Sequence, residues 1–134
     1  MSRQRTPDSL LRSALVANVA FSVISGTLMI LGAGPLGRLL GFEEPFLLAA
    51  IGGGLLIFAA GVLHNARRES VNRLEALATI VGDLAWVAGS VLVIVAGPLS
   101  TTGNWLVAIV ADVVLVFALL QTHGLYHLWR RQPA

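Results

Sequence analysis

The chain of 134 residues is 56% hydrophobic and only 12% charged, with a formal charge of +2 and a mean hydropathy of +0.81; soluble domains carry roughly 25% charged residues. This is a membrane composition, with room for one domain of four spans of ~20 residues, the length that crosses ~30 Å of hydrocarbon. The absence of cysteine excludes disulfides, thiol redox chemistry and cysteine-held metals, and the nine cations, all arginine, read as topology signals and not as a nucleic-acid surface.

Residues 1–12 are polar and include Arg3, Arg5 and Arg12. Thr6-Pro7-Asp8 has the form of a helix start, with Thr6 as N-cap and Pro7 in the first turn. The first helix is expected over about 9–32. Its apolar run is longer than the 7–15 residues of a signal-peptide core, so it reads as a retained span. Gly32-Ala33-Gly34-Pro35 ends it, and residues 36–44, with Arg38, Glu43 and Glu44 among leucines and Phe42, suit a short segment lying in the interface. Pro45 opens the second helix, expected over 45–64, where Gly52, Gly53 and Gly54 let a neighbouring backbone come close. Residues 64–75 form the most charged connection. Within it, Asn72 followed by Glu75 has the pattern of a capping box. The third helix is expected over 74–97 and the fourth over 104–129, joined by an uncharged turn, with Asn104 as N-cap and Trp105 and Trp129 as interfacial aromatics.

Eight arginines (3, 5, 12, 67, 68, 73, 130 and 131) fall on one side of this arrangement and only Arg38 on the other. The positive-inside rule then puts both termini and the central loop in the cytoplasm. Arginine without lysine, together with abundant Ala, Gly and Val, points to a GC-rich bacterial genome and hence to a multi-pass protein of the bacterial inner membrane.

The two halves correspond. Asn18-Val-Ala-Phe21 matches Asp83-Leu-Ala-Trp86 and Ser25 matches Ser90 at an offset of 65; Gly34-Pro35-Leu36 matches Gly97-Pro98-Leu99 at 63; Leu56, Phe58, Ala59 and His64 match Leu115, Phe117, Ala118 and His123 at 59. The fold class expected is therefore all-α, a polytopic antiparallel bundle of four transmembrane helices built as two tandem helical hairpins. Parallel repeats of this kind relate by an axis along the membrane normal.

Polar side chains inside the spans are the candidate functional residues. In the first helix Ala14, Asn18, Ser22 and Gly26 recur every fourth residue, with Ser25 beside them; in the third, Thr79, Asp83, Trp86 and Ser90 share one face. A carboxylate turned to lipid costs roughly 2.5 kcal/mol or more at the bilayer centre, so these faces should meet inside the bundle. Asp112 lies about two turns in from the opposite end of the fourth helix, at a different depth from Asp83, so the two should not form a dyad. Two uses of this set are open. Asp83 and Asp112, with Asn18, Ser22, Trp86 and Ser90, could bind a small ligand or exchange protons in a carrier. Alternatively Asp83 is held by Asn18, Ser22 or Trp86 Nε1 and serves assembly. A third reading takes His64 and His123, which correspond in the two halves, as axial haem ligands.

No Ser-His-Asp order, phosphate-binding glycine loop or HExxH motif is present, so no enzymatic activity and no cofactor are implied. The expected partners are the lipid bilayer and either a second copy or a larger membrane complex. With Arg12 opening the first helix, four small-residue-rich spans and both termini on one side, residues 10–129 resemble the uncharacterised bacterial four-helix membrane proteins grouped around the DoxX-like families. That resemblance implies a membrane location. Similarity to small multidrug exporters is poorer, because their first helix carries an essential glutamate where this chain offers Asn18.

Overall fold

A computed structural model describes residues 9–42 and 44–131; the expected helix start at Thr6-Pro7-Asp8 falls outside them. The described chain is helical throughout: α1 (Ser9–Leu31), α2 (Ala33–Leu40), α3 (Pro45–Ala66), α4 (Arg73–Ala96) and α5 (Thr101–Arg131). All but α2 are long and apolar enough to cross a membrane, which makes this a multi-pass membrane protein. Phe46, Leu31, Val95 and Ile57 are each more than three-quarters exposed, as side chains facing lipid must be.

Local chemistry sets the ends of these helices. Pro45 sits in the first turn of α3, where its missing N–H is not needed. Asn72 caps α4 as expected, its Oδ1 accepting from the Glu75 N–H at 3.0 Å. The reciprocal half of the capping box is replaced: the Asn72 N–H donates to Asn65 Oδ1 at 2.7 Å, and Glu75 pairs with Arg68 at 3.3 Å. Two ends differ from expectation. The segment after the first span is a helix, α2, which begins two residues after α1 because Pro35 tolerates a first turn; it closes on Gly41, whose φ of 78° favours glycine. The last helix starts at Thr101, ahead of the expected 104, because Ser100 caps it by accepting from the Gly103 N–H at 2.9 Å. Asn104 is thereby inside the helix.

The helices form two antiparallel hairpins, α1 with α3 and α4 with α5, joined along α1 and α5; α3 and α4 scarcely touch. The α1–α3 crossing is tight. A Cβ on Gly26 would lie 2.7 Å from the Gly52 carbonyl oxygen, and one on Gly52 would lie 2.6 Å from that of Gly26. Only backbones with hydrogen at Cα can approach this closely. At the turn end, the Ser100 N–H donates to the Leu40 carbonyl at 2.9 Å and the Ser100 hydroxyl to the Leu39 carbonyl at 2.9 Å, tying α2 to the α4–α5 turn. At the other end, Arg12 donates to the carbonyls of Ala66, Arg68 and Glu69, satisfying groups that the end of α3 leaves without helical partners. The apolar core lies at this terminal end, where Leu11, Leu15, Val62, Ala76, Ile80 and Leu125 pack together.

Candidate functional site

Above that core the buried stripes turn polar. On α1 the inward face carries Leu11, Ala14, Leu15, Asn18, Ser22 and Gly26; on α4 it carries Ala76, Thr79, Ile80, Asp83 and Ser90; on α5, Ala111, Val114, Ala118, Gln121, Leu125 and Leu128 are buried at alternating steps of three and four. The three helices meet at Asp83. Asn18 Nδ2 donates to Asp83 Oδ2 at 2.8 Å, and Gln121 Nε2 donates to the same oxygen at 2.7 Å. Asn18 Nδ2 also lies 3.4 Å from Gln121 Oε1, while Asn18 Oδ1 accepts from the Ser22 hydroxyl at 3.2 Å. A second branch of the Gln121 amide reaches the Phe117 carbonyl at 2.8 Å.

This clasp brings Asn18 and Asp83 together, the pair that corresponds in the two halves. It differs from the expected partner set in two ways. Ser22 binds Asn18 and not the carboxyl group, and Trp86 does not reach Asp83 at all: its Nε1 is buried with no hydrogen-bond partner among the described residues. Ser90 donates its hydroxyl back to the Trp86 carbonyl at 2.8 Å. Gln121 was missing from the sequence-based candidates. Its signal was available, because it falls in register on the buried stripe of α5.

Beside the clasp is a cavity of about 290 Å³, lined among others by Asn18, Ser22, Ser25, Phe58, Asp83 and Trp86. It occupies the space left by the separation of α3 from α4, with the exposed Ile51 and Gly54 of α3 among its lining residues. The facing seam is closed, Phe21 of α1 meeting Phe117 of α5 edge to face at 5.6 Å between ring centres. The cavity wall is therefore apolar apart from the clasp, two serine hydroxyls and the Trp86 indole N–H.

Asp112 stands apart. It is exposed on the outer surface of α5, one residue off the buried stripe, and lines no wall of the cavity. Nine residues separate it from Gln121, ~13 Å along the helix at 1.5 Å per residue. His64 is exposed on α3 and His123 on α5; the ring of His123 rests instead against His127, 4.4 Å between centres. Among the described residues no three His, Asp or Glu side chains gather as a metal-binding group.

The fold and site thus define a four-span membrane protein whose buried carboxyl group knits three helices beside an intramembrane cavity. No family model, no curated protein and no solved structure matches the chain.

Proposed function

We propose that this protein is a non-enzymatic binding protein of the bacterial inner membrane, with both termini cytoplasmic, that holds a small and mainly apolar molecule carrying one polar group. The reading rests on one observation: the Trp86 indole N–H is buried without a hydrogen-bond partner in the wall of a cavity that also contains Asp83. A buried donor left unmade costs ~1–3 kcal/mol, and an acceptor on a bound molecule removes that cost. The cavity lies at the low end of the ~300–1,000 Å³ typical of small-molecule sites and has their usual make-up, apolar walls with a few convergent polar groups. Asp83 has a double role. Its Oδ2 accepts from Asn18 and Gln121 and so fixes α1, α4 and α5, while the carboxyl group stays within reach of a ligand donor.

Lateral entry from the bilayer suits such a molecule, because α3 and α4 leave their seam loosely packed. Cytoplasmic termini follow from the arginines, Arg12, Arg67, Arg68, Arg73 and Arg130 lying at the terminal end and Arg38 at the other. Kinship with the DoxX-like four-helix proteins is compatible with this reading and names no ligand. A proton-coupled carrier through both carboxylates has less support, since Asp112 lies outside the cavity.

The test is native mass spectrometry of protein extracted from its own membranes, followed by solvent extraction of whatever it carries. Wild-type protein should carry a small hydrophobic adduct, reduced by Trp86→Phe and abolished by Ser25→Leu, which fills the cavity. Identical extracts from wild type and a folded Ser25→Leu protein would refute the reading.

A further inference from the structure

The outer surface of α5 carries a feature that the cavity does not use. Asp112 makes no hydrogen bond or ion pair with the described residues. It nevertheless lies eleven residues into a 31-residue helix, about 16 Å below its outer end and so within hydrocarbon. At comparable depth the exposed positions of α1, α3 and α4 are apolar side chains, glycines, alanines and the Thr27 hydroxyl. Asp112 is the one ionisable group among the described residues that the monomer turns toward lipid in mid-membrane. Lipid offers it no donor.

Its neighbours on that surface follow a pattern. Trp105, Ile109, Asp112, Val116, Leu119 and His123 are separated by steps of four, three, four, three and four, and all are exposed, Trp105 by 68% and Leu119 by 61%. A seam that repeats every 3.5 residues matches a like helix crossing at ~20° in a left-handed pair. Every copy of a membrane protein inserts with the same orientation. Two copies of α5 related by a twofold axis along the membrane normal therefore run parallel, and each seam residue meets its own counterpart at the same depth.

We propose that the protein dimerises through this seam of α5, with Asp112 hydrogen-bonded to Asp112 of the second copy. The occupant is a second copy because only an identical parallel helix puts an oxygen-bearing side chain at that depth on that line. Two ionised carboxylates in contact would repel, so the pair holds one proton, the carboxylic acid of one copy donating its O–H to the carboxylate of the other. Ile109 and Val116 pack one turn above and below and exclude lipid headgroups and water from the bond. One polar residue in an otherwise apolar seam is the device by which helix pairs select register and partner number. The proposal is independent of the cavity reading, since no seam residue lines the cavity.

The chain contains no cysteine, so single cysteine variants report cleanly. Ile109→Cys, Val116→Cys and Leu119→Cys, oxidised in intact membranes, should give disulfide-linked dimers, whereas Ile57→Cys on α3 and Leu92→Cys on α4, both strongly exposed, should not. In lipid vesicles, energy transfer between labelled copies should show Asp112→Leu dimerising at least tenfold more weakly than wild type, and Asp112→Asn, which keeps a donor and an acceptor, close to wild type. Seam cysteines that stay monomeric, or that trap a different protein, would overturn the interface. Unchanged dimerisation of Asp112→Leu would overturn the carboxyl pairing, and ligand extraction from that variant shows that the bundle itself is intact.

Discussion

Removing the two donors of the clasp should be worse than the sum of removing each, and removing the acceptor afterwards should restore stability. Asn18 and Gln121 each give Asp83 Oδ2 one short hydrogen bond, at 2.8 and 2.7 Å. Interhelical hydrogen bonds in bilayers average ~0.6 kcal/mol and reach ~1.7. Ending on a carboxyl group in an apolar bundle, these two belong in the upper part of that range. Asn18→Leu and Gln121→Met should each cost about 1–1.5 kcal/mol, because the remaining donor still serves the acid. With both gone, the carboxyl group is buried without a partner from either helix, a state that costs ~3–5 kcal/mol. The double variant should therefore exceed the sum of the singles by about 1–2 kcal/mol, within the range seen for residues that share a network. Adding Asp83→Leu to the double variant should recover about 2 kcal/mol or more, since an apolar trio of similar volume replaces a broken polar one. Reversible unfolding in mixed detergent micelles, or steric trapping in bicelles, measures all of these. Additive losses, with the triple variant least stable of all, would refute the claim that the clasp acts as a unit.

The packing makes further demands. Gly52→Ala places a Cβ 2.6 Å from the Gly26 carbonyl oxygen and should cost roughly 1–3 kcal/mol by forcing α1 and α3 apart, whereas Gly53→Ala, with nothing within 4 Å of the new Cβ, should leave the unfolding midpoint unchanged or raise it. Gly103→Ala drives a Cβ into the Leu40 carbonyl and should release α2 from the α4–α5 turn, seen as faster hydrogen exchange at Ser100 and Gly103 with little change at Asn72. Asn65→Ala removes both bonds between its amide and the Asn72 backbone, at 3.1 and 2.7 Å, and should cost about 2 kcal/mol and open residues 67–72 to protease; an unaltered cleavage pattern would show that Arg12 alone holds that loop.

Hydropathy made the four spans legible, and most capping residues could be read because each cap is a local matter of one side chain and one amide. Ser100 was harder. It precedes a Thr-Thr pair that itself looks like turn sequence, and what fixes it is its contact with Leu39 and Leu40, 61 residues away for its hydroxyl. The meeting of α1 and α4 was readable from spacing, since Asn18 and Asp83 each sit on a small-residue stripe. Gln121 escaped because glutamine carries no charge to draw attention to it, and only the register of the α5 stripe marks it as inward. Asp112 shows the converse. Its charge is conspicuous, yet one residue of rotation, 100° around the helix, takes it out of the site, and hydropathy does not record azimuth. The three central glycines likewise look alike in sequence, but only Gly52 faces the crossing.

The two-hairpin arrangement also sets an order of events during synthesis. When α4 enters the membrane, Asn18 has already been made, but Gln121, the second partner of Asp83, lies 38 residues further along the chain. For that interval the acid depends on α1 alone, and the tight α1–α3 glycine crossing is what keeps α1 in place to receive it. Completion of α5 supplies the missing donor, closes the Phe21–Phe117 seam and shuts one side of the cavity. A chain stalled in its last helix therefore exposes a half-satisfied acid, the kind of defect by which membrane quality control can tell an unfinished bundle from a finished one.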